Sequence, residues 1–230
     1  MKDPSSSGRS FAVVTGASSG FGFELAQQFA EHDFDLLVSA EDEGIEAVAK
    51  RLEAAGASVQ FVHVDLGNFD GVEKLYNKIK SCGRPLDAIA INAGLSGNFA
   101  KDTELKAELN LIALNVTSSV HLAKRVVHDM VDRKHGRILF TSSVAGRMPA
   151  PLEAVYGASR AFLLSFSEAL RSELQDFGVT VAALMPNFFS AKDDPADVAR
   201  YGFEALMAGD DRVLAGRSIS RRTFSDRAGR

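Results

Sequence analysis

The chain has 230 residues, 46% apolar and 24% charged, which excludes a disordered chain and allows one large core or two small ones. Its formal net charge of -4 at pH 7, with no basic stripe interleaved with aromatics, argues against a nucleic-acid partner. A single cysteine, Cys82, rules out an intrachain disulfide and predicts a reducing, cytoplasmic setting, while the polar opening and the lack of a run of about 18 apolar residues predict neither signal peptide nor membrane span.

From Phe11 onward, short β-branched or apolar runs alternate with longer segments of helical period, the pattern of βαβ units. Phe11 to Thr15 reads as the first strand, followed by glycines and a helix with Leu25, Ala26, Phe29 and Ala30 on one face. Phe34 to Ser39 is the second strand; the helix after it carries Ile45, Val48, Ala49 and Leu52 and stops at Gly56. Val59 to Val64 is the third strand, and Val72, Leu75, Tyr76 and Ile79 define a helix ended by Gly83 and Pro85.

Leu86 to Ile91 is the fourth strand, with a long helical segment from about Thr103 to Arg133 behind it. Gly136 to Thr141 leads the fifth strand, and the stripe Phe162, Phe166, Leu170, Leu174 marks a helix from Tyr156 to Phe177, closed by Gly178. Val179 to Met185 is the sixth strand. Asp194 and Pro195 match an N-cap and first helical position, opening a helix to about Met207, and Val213 to Ala215 supplies a short last strand. The expected architecture is a three-layer α/β domain, a doubly wound parallel sheet. One domain spans residues 11–216, flanked by a flexible stretch (1–10) and a basic tail (217–230) with five Arg against one Asp. That tail reads as a solvated end or as an anion- or partner-binding arm.

Between the first strand and first helix lies Thr15-Gly16-Ala17-Ser18-Ser19-Gly20-Phe21-Gly22. Glycines there permit a tight turn and close approach of backbone N–H groups to a pyrophosphate, whose charge the helix N-terminus favours. The second strand ends in Ser39-Ala40-Glu41-Asp42, with Glu41 nineteen residues after Gly22, close to the spacing of an acid that accepts from a ribose 2′-hydroxyl and repels a 2′-phosphate. Glu41 also reads as a solvated charge at a helix entry. The five histidines, His32, His63, His121, His128 and His135, have no paired metal-ligand spacing, so no metal site is expected. Cys82 reads as structural.

The Gly-x-x-x-Gly-x-Gly loop, Asp65-Leu66 after the third strand, Asn92-Ala93-Gly94 after the fourth, Asn115 within Leu-Asn-Val-Thr-Ser, and Ser143 thirteen residues before Tyr156 resemble, in that order, the motifs of short-chain dehydrogenases/reductases. The resemblance spans residues 11 to about 215. It implies a Rossmann fold, a nicotinamide cofactor (NAD by the Glu41 reading, or NADP), a small alcohol or carbonyl substrate, and a homo-oligomer, dimer or tetramer, pairing helices near Leu105–Val131 and Phe162–Phe177. Gly16, Ser18, Ser19, Gly20, Phe21, Gly22, Glu41, Asp65, Leu66, Asn92, Ala93, Gly94 and Pro186 would contact the cofactor together with Tyr156 and Arg160. Tyr156 would act as acid or base, Ser143 would hold the substrate oxygen and Asn115 would orient a water.

Two departures carry consequences. The family's lysine four residues after the tyrosine is Arg160 here, which keeps the charge but cannot relay a proton. The family's Pro-Gly and long substrate lid are replaced by Pro186-Asn187 and a stretch too short for a helical flap. Ala191 stands where a hydroxyl normally meets the carboxamide, with Ser190 one earlier. Phe188 and Phe189 are placed to shield the nicotinamide or to pack on the core. The expected function is an NAD(P)-dependent oxidoreductase impaired by these changes; the alternative is a catalytically weakened dinucleotide-binding protein acting as sensor or partner subunit.

Overall fold

A computed structural model of the chain describes residues 8–97, 99, 104–147, 153–186, 194–214 and 217–219. Eight strands form one sheet in the order β3-β2-β1-β4-β5-β6-β7-β8. They are β1 (Ser10–Thr15), β2 (Phe34–Ala40), β3 (Val59–His63), β4 (Ala88–Ile91), β5 (Gly136–Thr141), β6 (Val179–Met185), β7 (Arg212–Leu214) and β8 (Arg217–Ile219). The first seven run parallel and β8 pairs antiparallel with β7. This is the doubly wound α/β sheet expected.

The helices are α1 (Gly20–Glu31), α2 (Gly44–Ala54), α3 (Phe69–Ser81), α4 (Leu105–Ile112), α5 (Ser118–Arg133), α6 (Ala154–Leu174) and α7 (Pro195–Ala208). Parallel strands buried on both faces send alternate side chains to two cores. Ala12 and Val14 on β1, with Leu36 and Val38 on β2, face a core shared with α1, α2 and α7. Val13 and Leu37 point the other way, into a core closed by α3, α5 and α6. In the first core Phe29, Phe34 and Phe203 meet edge to face, Phe29 and Phe203 with centroids 5.1 Å apart at 89°.

Capping follows the sequence. Asn68 accepts from Gly71 N at 2.8 Å and starts α3; Asp194 accepts from Ala196 N at 3.0 Å with Pro195 at the first turn of α7. At the sheet edge away from the strand C-termini, buried Asp35 accepts from Arg84 at 2.6 Å and from Ser58 N at 2.9 Å, with Arg9 also paired to it. That cluster ties the entries of β1, β2, β3 and β4 together and leaves the opposite edge for the site.

The helical segment expected from about Thr103 to Arg133 runs unbroken from Leu105 as α4 and α5 joined by a π-helical turn, Ala113–Thr117, within which Asn115 is buried. The tail is not featureless, since Arg217–Ile219 extends the sheet by a strand. Thr103 and residues 220–230 lie outside the described residues.

Candidate active site and nucleotide cleft

The sheet order reverses between β1 and β4, and a doubly wound sheet places its ligand crevice beyond the strand C-termini at that switch. Here the crevice is a cleft of about 300 Å³ bordered by the turn Gly16–Gly22, by Ala40, Glu41 and Asp42 after β2, by Val64 and Leu66, by Asn92–Leu95, and by Leu114, Thr141, Ser142 and Arg160.

Backbone geometry makes the turn. Gly16 and Gly20 have φ of +64° and +54°, the left-handed region glycine adopts without penalty. At Gly22 a Cβ would stand 1.9 Å from Gly16 O and 2.6 Å from Asn92 Nδ2, so only glycine lets α1 begin this close to the end of β1. Ser19, the N-cap of α1, makes no side-chain cap bond, and no acid occupies the first turn. With no side-chain cap and no acid there, the N-terminus of this twelve-residue helix favours an anion.

Asn92 locks three strand ends together. Its Nδ2 donates to Thr15 O at 3.2 Å and Gly16 O at 3.3 Å, its Oδ1 accepts from Thr141 Oγ1 at 2.9 Å, and Thr15 Oγ1 accepts from Asn92 N at 2.9 Å and Ala93 N at 3.0 Å. Sequence reasoning found Asn92 but passed over Thr15 and Thr141. A polar residue ending each of two apolar strands was the available signal.

At the other end of the cleft, Val64 and Leu66 form an apolar wall. Asp65 itself turns aside: its carboxylate accepts from Gly67 N at 2.7 Å and Asn68 Nδ2 at 2.9 Å, inside the turn that leads into α3. Glu41 and Asp42 border the cleft, and the carbonyl of Glu41 meets the ring of His63. Asp42 also accepts from Gly44 N at 3.0 Å as α2 begins.

On α6, Tyr156 and Arg160 lie one turn apart, with the guanidinium carbon 5.1 Å from the centre of the phenol ring. Tyr156 is buried against Leu111 and Ala145. Arg160 is only 6% exposed; its Nη1 donates to Thr141 O at 2.9 Å, and its Nε is buried without a hydrogen-bond partner. Burial pushes the guanidinium pKa below its ordinary value, and the Tyr156 phenol opposes that shift. Gly94 makes room for it, since a Cβ there would stand 2.3 Å from Nη2. Ser142 Oγ donates to Arg160 O at 2.7 Å, a bond to the α6 backbone that sequence reasoning did not anticipate.

Ser143 is fully buried at the end of β5. Its Oγ accepts from Ala145 N at 3.1 Å, capping a short 3-10 turn, and lies 3.5 Å from Pro186 O, to which it donates. The carboxamide of Asn115, the residue expected to orient a water, bonds to protein groups. Nδ2 donates to Leu95 O at 2.9 Å and Ser159 Oγ at 3.0 Å, and Oδ1 accepts from Leu95 N at 2.8 Å. Its own carbonyl accepts from Ser119 Oγ at 2.9 Å. Asn115 thus braces the Leu95 loop against α6. Residues 187–193, including Phe188, Phe189, Ser190 and Ala191, lie outside the described residues. Among the described residues no cluster of three His, Cys, Asp or Glu could hold a metal.

A doubly wound parallel sheet with a glycine turn at its switch point, and Ser143, Tyr156 and Arg160 around β5 and α6, make up an α/β domain of the dehydrogenase type. Residues 10–196 match the short chain dehydrogenase family, and the chain belongs to the short-chain dehydrogenase/reductase family. It is 36% identical over 188 residues to a very-long-chain 3-oxoacyl-CoA reductase of Mycosarcoma maydis, covering 78% of this chain and 53% of that protein. It is 32% identical over 213 residues to an uncharacterized oxidoreductase of Myxococcus xanthus (strain DK1622), covering 91% and 83%. The chain spans about half the length of the fungal reductases it matches.

Among solved structures, the bulky-bulky ketone specific alcohol dehydrogenase from Comamonas testosteroni superposes with a TM-score of 0.86 at 25% identity, covering 95% of this chain and 91% of that one. A metagenomic short-chain oxidoreductase in complex with NADP gives 0.81 at 27% identity, covering 92% and 98%.

Proposed function

We propose that this chain is an NAD-dependent oxidoreductase that interconverts an alcohol with a ketone or aldehyde. The observation that carries the reading is the seating of a buried phenol, Tyr156, one helical turn from a guanidinium that borders the same cleft as the glycine turn. The uncapped first turn of α1 and the close approach that Gly22 allows fit the two linked phosphates of a dinucleotide. A bound nicotinamide dinucleotide supplies or accepts the hydride.

The chain's own residues then handle the proton and the substrate oxygen. Tyr156 Oη carries the proton that passes to or from that oxygen. The fixed charge of Arg160 favours the phenolate left behind. The Ser143 hydroxyl, held to Pro186 O by a bond at the 3.5 Å limit, exchanges that partner for the substrate oxygen. Asn115 acts as a positioning residue, fixing the Leu95 loop and the start of α6. Exposed Leu105 and Leu109 on α4 and Phe162 on α6 support pairing with a second copy through this helical face. A reducing, cytoplasmic setting is in keeping with the single cysteine.

Glu41 and Asp42 at the cleft edge favour a ribose 2′-hydroxyl over a 2′-phosphate. Calorimetric titration is expected to give NADH a dissociation constant about tenfold lower than that of NADPH. Tighter NADPH binding overturns the NAD assignment.

A second reading, a dinucleotide-binding sensor or partner subunit with weak turnover, is favoured by one feature. Arg160 is buried where it cannot give up a proton. Arg160→Lys separates the two. Carbonyl reduction by the lysine variant is expected to rise about tenfold or more over the parent chain. Absence of turnover in both forms sinks the enzyme reading and leaves the binding protein.

A further inference from the structure

The guanidinium of Arg160 is an uncompensated buried cation. Among the described residues its partners are the Thr141 carbonyl and the Tyr156 phenol, its Nε has none, and no carboxylate forms an ion pair with it. A buried charge without a counter-charge is costly, and it repels any further positive charge brought into the same low-dielectric space. Gly94 and Ser142 fix it there, the first by leaving room for Nη2 and the second by tying the Arg160 backbone to β5.

The cleft has a polarity that places one particular group beside this charge. Its acidic edge, Glu41 and Asp42, lies at the β2 end, the phosphate-binding turn lies in the middle, and Arg160, Thr141, Ser142 and Leu114 form the opposite end. With the phosphates at the α1 N-terminus and the adenosine ribose against the acids, the nicotinamide half falls on the Arg160 side. That ring is cationic when oxidised and neutral when reduced, whereas the rest of the dinucleotide is unchanged.

Resting on the reading of this cleft as a dinucleotide site, we propose that Arg160 makes it discriminate between the redox states of its cofactor. The reduced, uncharged ring is held more tightly than the oxidised, cationic one. A buried ammonium can lose its proton and relax such repulsion, whereas a guanidinium keeps its charge at every accessible pH. In an enzyme this helps expel oxidised dinucleotide after carbonyl reduction; in a sensor it converts the ratio of reduced to oxidised cofactor into occupancy.

The test measures binding, not turnover. NADH, NAD+ and ADP-ribose, with NADPH, NADP+ and 2′-phospho-ADP-ribose in parallel, are titrated into the parent chain, Arg160→Gln and Arg160→Lys. ADP-ribose carries the phosphates and adenosine but no nicotinamide. In the parent chain the reduced form is expected to bind about tenfold or more tighter than the oxidised form, and the oxidised form no tighter than its ADP-ribose counterpart. Arg160→Gln, which keeps a donor for Thr141 O but no charge, is expected to narrow the gap to about threefold or less, with Arg160→Lys between. Equal affinity for both redox states in the parent chain overturns the proposal, as does a gap unchanged in Arg160→Gln. Should the glutamine variant not fold, the comparison with ADP-ribose in the parent chain decides. Failure of every ligand to bind overturns this proposal together with the dinucleotide reading, whereas binding without redox preference overturns this proposal alone.

Discussion

Replacing Gly22 by alanine is expected to lower dinucleotide affinity about a hundredfold and to destabilise the fold by about 3 kcal/mol. The added Cβ stands 1.9 Å from Gly16 O, 2.7 Å from Gly16 C and 2.6 Å from Asn92 Nδ2, so even if the Asn92 side chain moves, the clash with the Gly16 backbone stays. Either the glycine turn or the start of α1 must shift, and both supply the amides that, on the proposed reading, face the phosphates. A displaced Gly16 carbonyl also loses its bond from Asn92, one of the bonds in the lock joining β1, β4 and β5. Gly20→Ala is the control. Gly20 has φ of +54° but nothing within 4 Å of its added Cβ. Its cost is left-handed strain of about 1 kcal/mol, with most of the affinity retained. Calorimetric titration and thermal melts of both variants check the contrast. Parent-like binding by Gly22→Ala would remove the glycine turn from the site.

The features legible in the sequence share a physical cause: they are local. A strand buried on both faces needs a short run of apolar residues whatever surrounds it, so β1, β2, β5 and β6 stand out to within a residue or so. The glycine turn and the Asp194-Pro195 helix start depend on backbone angles and caps set by adjacent residues.

What could not be read depends on distant partners or on competition between bonds. The π turn holding Asn115 adds one residue to a helix whose apolar spacing tolerates the slip, so the segment from about Thr103 to Arg133 reads as helix with no sign of the turn. The space for the Arg160 side chain exists because residue 94, on another element, lacks a Cβ. The turning aside of Asp65 was partly legible, because Asp-Leu-Gly-Asn is a sequence in which an aspartate bonds to its own following backbone, here at Gly67 N. Strand β8 spans three residues, too few for a period to register.

Tyr156→Phe is expected to reduce carbonyl turnover about a thousandfold while leaving dinucleotide affinity within about threefold of the parent. Phenylalanine keeps the ring that packs against Leu111 and Ala145 and that faces the Arg160 guanidinium, so the fold should change by no more than about 1 kcal/mol. Only the hydroxyl is lost, and with it the group proposed to give the proton to the substrate oxygen. The Ser143 hydroxyl is a poor substitute because its oxygen already caps Ala145 N and its free acidity is far weaker. If Arg160 limits the parent chain, the same substitution in an Arg160→Lys background gives the larger absolute fall, because the lysine form starts from a higher rate. Steady-state rates with one ketone substrate, beside calorimetric affinities, separate loss of chemistry from loss of binding. Undiminished turnover in Tyr156→Phe assigns the proton to another group, whereas a parallel collapse of affinity and stability makes the phenol a structural part of α6.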